Sequence, residues 1–424
     1  MKKLMISIIV MLALIAPLAL VSCGPESGAE RAARDGVELD FWSWRVEDVA
    51  EYNELIRRFE AENPGIRVNF TPYQATEYNT VLSAAVQGGN APDIIHLRAY
   101  GGLEQYAAPG FLMRLDDQLP LRNRFDEDTL RAVTSISDGN IYGVPFASQT
   151  LVIYYNSRMY NELGLEIPET WDEFLSNLQV MKDAGITPLA NGSAEGWTLE
   201  VMHGVISPNF YGANEFFDAI MSGEAKFTDE AYRRSLAKLL ELRPYMPDGF
   251  TGVNYVGMQM GFINEMAGHF IGGSWEAAYF NSQNPDLEFG VFAGPVENRG
   301  DTRYVSSYAD GSFGASATTR HPEEALKFLE FLASQETGQF FADELKLQSD
   351  IPGVTSNDPY LQRILELNEN STPYIQLVGF RYEQPTGSSL LQSGLEGMMA
   401  GTIDAAEVTR QVQQGIETWF TPGQ

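Results

Sequence analysis

The sequence predicts an α/β protein of more than one domain, and three observations carry that reading. The chain is 424 residues long, which at roughly 100–200 residues per domain suggests two or three. Its apolar share of 44% and aromatic share of 12% are enough to build real cores, and they exclude a disordered chain. Between residues 37 and 97, short β-type runs alternate with helical ones. That alternation implies βαβ units, a mostly parallel sheet and right-handed crossovers.

The elements follow in order. Val37 to Trp42 reads as a strand and Asp48 to Glu62 as an amphipathic helix, with Leu55, Ile56 and Phe59 at helical spacing. Asn63-Pro64-Gly65 ends that helix, and Ile66 to Phe70 alternates as a second strand. Tyr78 to Gln87 is helical, Gly88-Gly89 breaks it, and Asp93 to Leu97 forms a third strand. Ligands of such sheets bind beyond the carboxyl ends of the strands, where Trp42-Ser43-Trp44 and His96 to Tyr100 fall. Ile141 to Asn156 is a long β-rich segment. Helices are expected at Trp171–Ala184, Trp197–Val205, Asp229–Leu242 and Asn254–Met266. Strand-like pieces return at His269–Gly272, Leu287–Phe292 and Tyr304–Ala317, before helices at Pro322–Ser334, Leu390–Met399 and Ala405–Trp419.

Charge and composition narrow the function. A formal charge of −29 counts against nucleic acid, because phosphate binding needs a positive field. One Cys leaves no partner for an intramolecular disulfide and no Cys-rich metal site. No P-loop, Gly-x-Ser-x-Gly elbow, His-Glu-x-x-His pair or EF-hand loop is present. No catalytic residue, metal or cofactor is expected. Carboxylates are plentiful, so residue type alone leaves a glycosidase pair open.

The amino terminus reads as an address. Met1-Lys2-Lys3 is basic, Leu4 to Val21 is nearly all apolar, and the run stops at Ser22-Cys23. A Cys directly after Leu20-Val21-Ser22 resembles the bacterial lipobox, which implies cleavage after residue 22 and acyl chains on Cys23. Cleavage there removes Lys2 and Lys3 and deepens the charge from −29 to −31. Residues 23–36 then form a flexible tether, holding the body outside the cytoplasmic membrane, on the periplasmic side or at the cell surface.

Several segments, in order, resemble the bacterial extracellular solute-binding proteins of carbohydrate ABC importers, the maltose-binding-protein-like family. They are Phe59-Glu60 with Asn63-Pro64-Gly65-Ile66, Ala91-Pro92-Asp93-Ile94-Ile95 and Tyr142-Gly143-Val144-Pro145-Phe146. Leu151 to Asn156, Pro168 to Phe174 and Gly185 to Ala190 follow, then Gly272-Gly273-Ser274-Trp275-Glu276 and His321 to Ala325. The resemblance implies a two-lobed periplasmic-binding-protein fold. Each lobe would be a mostly parallel sheet flanked by helices, and a multi-strand hinge would let the lobes close on solute. Lobe one would hold residues 37–149 and 315–360, and lobe two residues 150–314 and 361–424. The hinge crossings would then fall at Ser148–Thr150, Phe313–Ala315 and beyond Pro352. Gly311 and Gly314 are compatible with a bending point.

A sugar offers apolar C–H faces and a rim of hydroxyls, so its site needs aromatic plates together with carboxylates, amides or Arg. The resemblance puts Trp44, Trp197 and Trp275 at the cleft. Trp275 is the expected stacking plate and Glu276 the hydroxyl acceptor; Glu195 stands beside Trp197. Arg45, His96 and Arg98 follow the first and third strands. Gln149 and Asp310 sit at the crossings, and Arg381 lies in the C-terminal region. Each residue also has a plainer reading. Trp275 could be core, Glu195 a helix-start acid, Arg98 a surface residue, and Trp42 and Trp44 could pack together. Asp93 could only fix a turn, while Thr170 and Trp171 open a helix. The expected ligand is a mono- or oligosaccharide. The expected partners are the importer's membrane permease subunits, and the receptor is expected to be a monomer. Alternatives keep the fold but take a peptide, polyamine or glycerol-phosphate-like solute, although phosphorylated ligands would want more Arg and Lys in the cleft. The enzyme alternative is a secreted glycosidase.

Overall fold

The computed structural model describes residues 36–423. The signal segment, Cys23 and all but the last residue of the tether lie outside the described residues. Two sheets organise the rest. The first has five strands in the order β2-β1-β3-β10-β4. These are β1 (Val37–Ser43), β2 (Ile66–Pro72), β3 (Ile94–Arg98), β4 (Val144–Pro145) and β10 (Gly311–Ala315). β1 runs parallel to both β2 and β3, as the βαβ pattern requires, and β10 enters antiparallel to β3 and β4.

The second sheet has seven strands. They are β5 (Ala147–Asn156), β6 (Thr187–Leu189), β7 (Ala267–Gly273), β8 (Phe289–Phe292), β9 (Val305–Ala309), β11 (Gln348–Ser349) and β12 (Ser371–Pro373). β5 is its spine and pairs with β7, β8, β9 and β11. Successive side chains of a strand face opposite ways, and β5 divides its residues accordingly. Leu151 and Ile153 join one buried cluster, while Val152 and Tyr154 join another. Lobe one has its own core, centred on Phe41, Leu97, Phe313 and Phe328.

Helix boundaries follow local chemistry. Thr170 Oγ1 accepts from the Glu173 amide, and the Glu173 carboxylate accepts from the Thr170 amide, a reciprocal cap for helix Trp171–Asp183. Trp171 is buried behind that cap, with its indole N–H donating to Glu241 at 2.7 Å. Asp93 also has a local duty, since its carboxylate accepts from the Asp40 amide and the Thr319 hydroxyl.

Two of the β-rich segments change sheet partway. Ile141 to Asn156 divides at Phe146, between β4 in the first sheet and β5 in the second. Tyr304 to Ala317 divides at Asp310, between β9 in the second sheet and β10 in the first. The second change of sheet therefore falls at Asp310, not at Phe313–Ala315, because residues 311–315 pair with β3. Gly311 has a packing reason to be glycine. A Cβ there would lie 2.4 Å from the Leu97 carbonyl oxygen and 2.8 Å from the Trp44 ring. It is glycine because β3 and Trp44 approach it closely. A third connection runs through β11, which pairs with Ala147 and Ser148.

Candidate functional site

Side chains from both lobes and from the sheet changes converge between the two sheets. In lobe one, β1 ends at Ser43 and releases the turn that carries Trp44, Arg45, Glu47 and Asp48. Arg45 is 3% exposed, with Nε 2.5 Å from Asp48 and 3.5 Å from Glu47. Its Nη1 lies 3.6 Å from Asp310. A guanidinium so buried needs this set of acids, because an unpaired buried charge is costly. Burial pushes the Glu47 carboxyl up against the pull of Arg45, with Asp48 and Asp310 adding to the rise.

Trp44 is buried, with its ring centroid 3.8 Å from that of His96 and 3.7 Å from Arg98 Cζ. It does not pack with Trp42, which meets Tyr73 instead. His96 corrects an expectation. It lies wholly buried among Trp44, Phe146 and Phe313, its Nδ1 2.8 Å from Ser43 Oγ, so it supports Trp44 instead of reaching the ligand rim. Burial, with Arg45 and Arg98 nearby, holds its pKa well below the usual range and keeps the ring neutral. Trp44, with its faces taken up in this way, is the weakest of the three tryptophans as a stacking plate.

At the changes of sheet, Gln149 is a hub. Its Nε2 donates to Asp310 Oδ2 at 3.0 Å, and its Oε1 accepts from Ser274 Oγ at 2.6 Å. Ser274 Oγ also accepts from the Thr150 amide at 3.0 Å. Asp310 Oδ1 faces Arg98 at 3.9 Å. The residue before Trp275 is thus joined through buried polar atoms to the acid that serves both arginines.

Lobe two supplies an aromatic wall. Trp197, on helix Gly196–Ile206, meets Tyr255 edge to face at 4.6 Å. Trp275 donates its indole N–H to the Tyr255 hydroxyl at 2.9 Å, and that hydroxyl donates to Glu276 at 2.5 Å. Gln259 donates to the second Glu276 oxygen at 2.9 Å. Trp197 and Trp275 are half-buried, whereas Glu276 is wholly buried. Gly273 makes room for the plate, since a Cβ there would lie 1.8 Å from the Trp275 ring. Glu195 does not cap its own helix. Its carboxylate accepts from the Tyr255 amide at 2.8 Å, fixing the start of helix Tyr255–Ile263.

Burial raises Glu276 from the ordinary 4.5 to about 7, against its hydrogen bonds from Tyr255 and Gln259, and Glu47 of lobe one adds to the rise. Glu47 and Glu276, one from each lobe, thus lie within electrostatic reach of each other. The lobes also touch at Gly101, where a Cβ would lie 2.2 Å from the Arg381 carbonyl oxygen. The void lined by Trp197, Tyr255, Trp275 and Glu276, all of lobe two, is only ≈ 10 Å³, room for about one water.

Of the eleven expected residues, Trp44, Arg45, Arg98, Gln149, Glu195, Trp197, Trp275, Glu276 and Asp310 lie in these walls or in the polar network at the changes of sheet, Arg381 meets lobe one through its backbone, and His96 lies beneath Trp44. Sequence reasoning missed Glu47, Asp48, Tyr255, Gln259 and Ser274. Asn254, whose side chain caps helix Tyr255–Ile263, was the available signal for Tyr255, because it sets that ring at a helix start. Among the described residues, no group of three or more His, Cys, Asp or Glu could hold a metal, and no helix is long and apolar enough to cross a membrane.

Two α/β lobes joined by strands that change sheet, with facing aromatic and charged walls, define a hinged binding protein. The profile of the bacterial extracellular solute-binding proteins matches residues 43–339, and the chain belongs to that family. It is 27% identical over 370 residues to the multiple sugar-binding protein of Streptococcus mutans, covering 84% of this chain and 86% of that one. It is 24% identical over 418 residues to the maltodextrin-binding protein MdxE of Bacillus subtilis, covering 94% and 95%. Among solved structures it superposes on the solute-binding protein RafE in complex with raffinose with a TM-score of 0.75, at 22% identity over 90% of this chain and 99% of that one.

Proposed function

We propose that this protein is a sugar receptor that captures a mono- or oligosaccharide between its lobes and delivers it to the membrane subunits of an ABC importer. The observation that carries the reading is the lobe-two wall, Trp197, Tyr255 and Trp275 around Glu276, set opposite Arg45 and Glu47 of lobe one. Aromatic faces suit the apolar C–H faces of a pyranose, and a carboxylate suits its hydroxyls. The similarity to proteins named for sugar and maltodextrin binding supports the choice of ligand. In this reading Trp275 is the stacking plate, Glu276 and Glu195 shape its polar edge, and Arg45, Arg98, Gln149, Asp310 and Arg381 serve the opposite side. The receptor binds without turnover. Acyl chains on Cys23 hold it at the outer face of the membrane as a monomer.

The test is tryptophan fluorescence of the full-length protein in detergent, titrated with a panel of neutral and charged saccharides. A saturable change at micromolar sugar, worth about −8 kcal/mol, is expected. Ligand at one hundred times its dissociation constant should add about 2.7 kcal/mol of stability. Silence across all saccharides, with a response to peptides or polyamines, overturns the sugar reading and leaves the fold intact.

A further inference from the structure

The charges of the seam are unevenly matched. Arg45 has Asp48, Glu47 and Asp310 within 3.6 Å. Among the described residues, the only acid paired with Arg98 is Asp310, at 3.9 Å, beyond hydrogen-bond reach. That carboxylate is already shared with Arg45 and takes the Gln149 N–H. The Arg381 side chain makes no hydrogen bond or ion pair with any described residue.

Arg98 and Arg381 come from opposite lobes and lie near each other where the lobes touch. Arg98 ends β3, three residues before Gly101, and the backbone at Arg381 and Tyr382 lies against Gly101. Burial depresses the Arg98 pKa, Asp310 opposes that, and Arg381 depresses it further. Both arginines also act on the Tyr308 hydroxyl, beside Asp310. Two cations from opposite lobes thus lie near each other, and the acid nearest Arg98, Asp310, is already shared with Arg45, while Glu47 and Glu276 lie on the Arg45 side of the seam.

We propose that Arg98 and Arg381 form a two-lobed clamp for a carboxylate carried by the sugar, so that the preferred ligand is a uronic-acid-containing saccharide. This rests on the sugar reading above. A guanidinium presents paired N–H donors whose fork matches a carboxylate, and Trp44, 3.7 Å from Arg98 Cζ, holds one fork in place. A carboxylate bridging the pair replaces like-charge repulsion with two charge-assisted contacts, one from each lobe. The anion then rewards the closed state, and the acidic end receives the neutral hydroxyls beside Trp275. Sulfate or phosphate on a sugar shares the anionic chemistry; carboxylate is favoured because its planar oxygens suit the fork.

The test is calorimetric titration of the full-length protein in detergent. The probes are glucuronate, galacturonate and mannuronate oligomers of one to three sugars, each beside its methyl ester, together with sulfated and phosphorylated parent sugars. At least one uronate should bind about ten-fold or more tighter than its own ester. Arg381→Gln should weaken the uronate about ten-fold more than it weakens the methyl ester of the same sugar, and Arg381→Lys should restore part of that difference, as a retained charge requires. Equal affinity for acid and ester, or equal losses for both in Arg381→Gln, overturns the clamp. Preference for sulfated or phosphorylated sugar over every uronate overturns the carboxylate assignment. If no saccharide of any charge binds, the sugar reading itself fails, which is a different result from neutral sugars binding without an acid preference.

Discussion

Ser274 and Gln149 share a buried hydrogen bond of 2.6 Å that joins the end of β7 to the start of β5. Gln149 spends its other end on Asp310. One amide thus links the turn before Trp275 to the acid between the two sheets. Removing it orphans buried polar atoms on both sides, and an unsatisfied buried group costs about 1–3 kcal/mol. Gln149→Ala should lower unfolding stability by about 2–4 kcal/mol, read as a fall in the urea midpoint at unchanged slope. A loss below about 1 kcal/mol would mean that water replaces the amide freely.

Glu276 makes stability depend on pH. Its folded value of about 7 stands above the ordinary 4.5, so the folded state holds the proton more tightly than the unfolded one. Stability should therefore fall as pH rises from 4.5 towards 7 and level off above. The rise corresponds to roughly 3 kcal/mol. Asp350, raised by burial to about 7, adds a slope of the same sign. The informative measurement is thus the difference between the wild type and Glu276→Gln in melting temperature across pH 5 to 8. Parallel curves would show that Glu276 ionises as it does in water.

Gly101 is where lobe two's C-terminal segment meets lobe one, and a methyl group there has no space beside the Arg381 backbone. Gly101→Ala should leave both lobes folded and hold the cleft partly open. Ligand affinity should drop about ten-fold or more with little change in unliganded melting temperature. Unchanged affinity would show that the 381–382 backbone yields without cost.

Trp275→Ala should remove the plate and cost about ten-fold or more in sugar affinity, while Trp275→Phe should retain part of it. Loss of folding in both variants, detected by circular dichroism, would instead make Trp275 a core residue.

Local patterns made the fold legible. The strands and helices of residues 37–98 follow from apolar spacing and from Asn63-Pro64-Gly65, and the Thr170 cap from its Glu173 partner. Composition hid the divisions at Phe146 and Asp310, because a strand that changes partners stays β-type throughout, and only the family resemblance put crossings near them, at Ser148–Thr150 and Phe313–Ala315. At the site, Trp275 with Glu276 and Glu195 with Trp197 stood out as neighbours in sequence. Tyr255, which binds all of them together, is distant from them in the chain, and no local pattern couples such residues. His96 misled for a related reason: a strand end gives direction but not depth, and Trp44 covers it.

The single residue between β9 and β10 has a mechanical consequence. Asp310 is where the backbone passes from one sheet to the other, and its carboxylate is the one that Arg45, Arg98 and Gln149 share. Any rotation of one sheet against the other turns the backbone beneath that charge. Opening therefore cannot be electrically silent: the receptor's gape and its internal field are geared together. Added salt, which screens exposed pairs more than buried ones, should shift the open–closed balance as the seam wets. A distance probe with one label on each lobe would read that shift directly, and a distance unmoved by salt would mean that the gearing is slack.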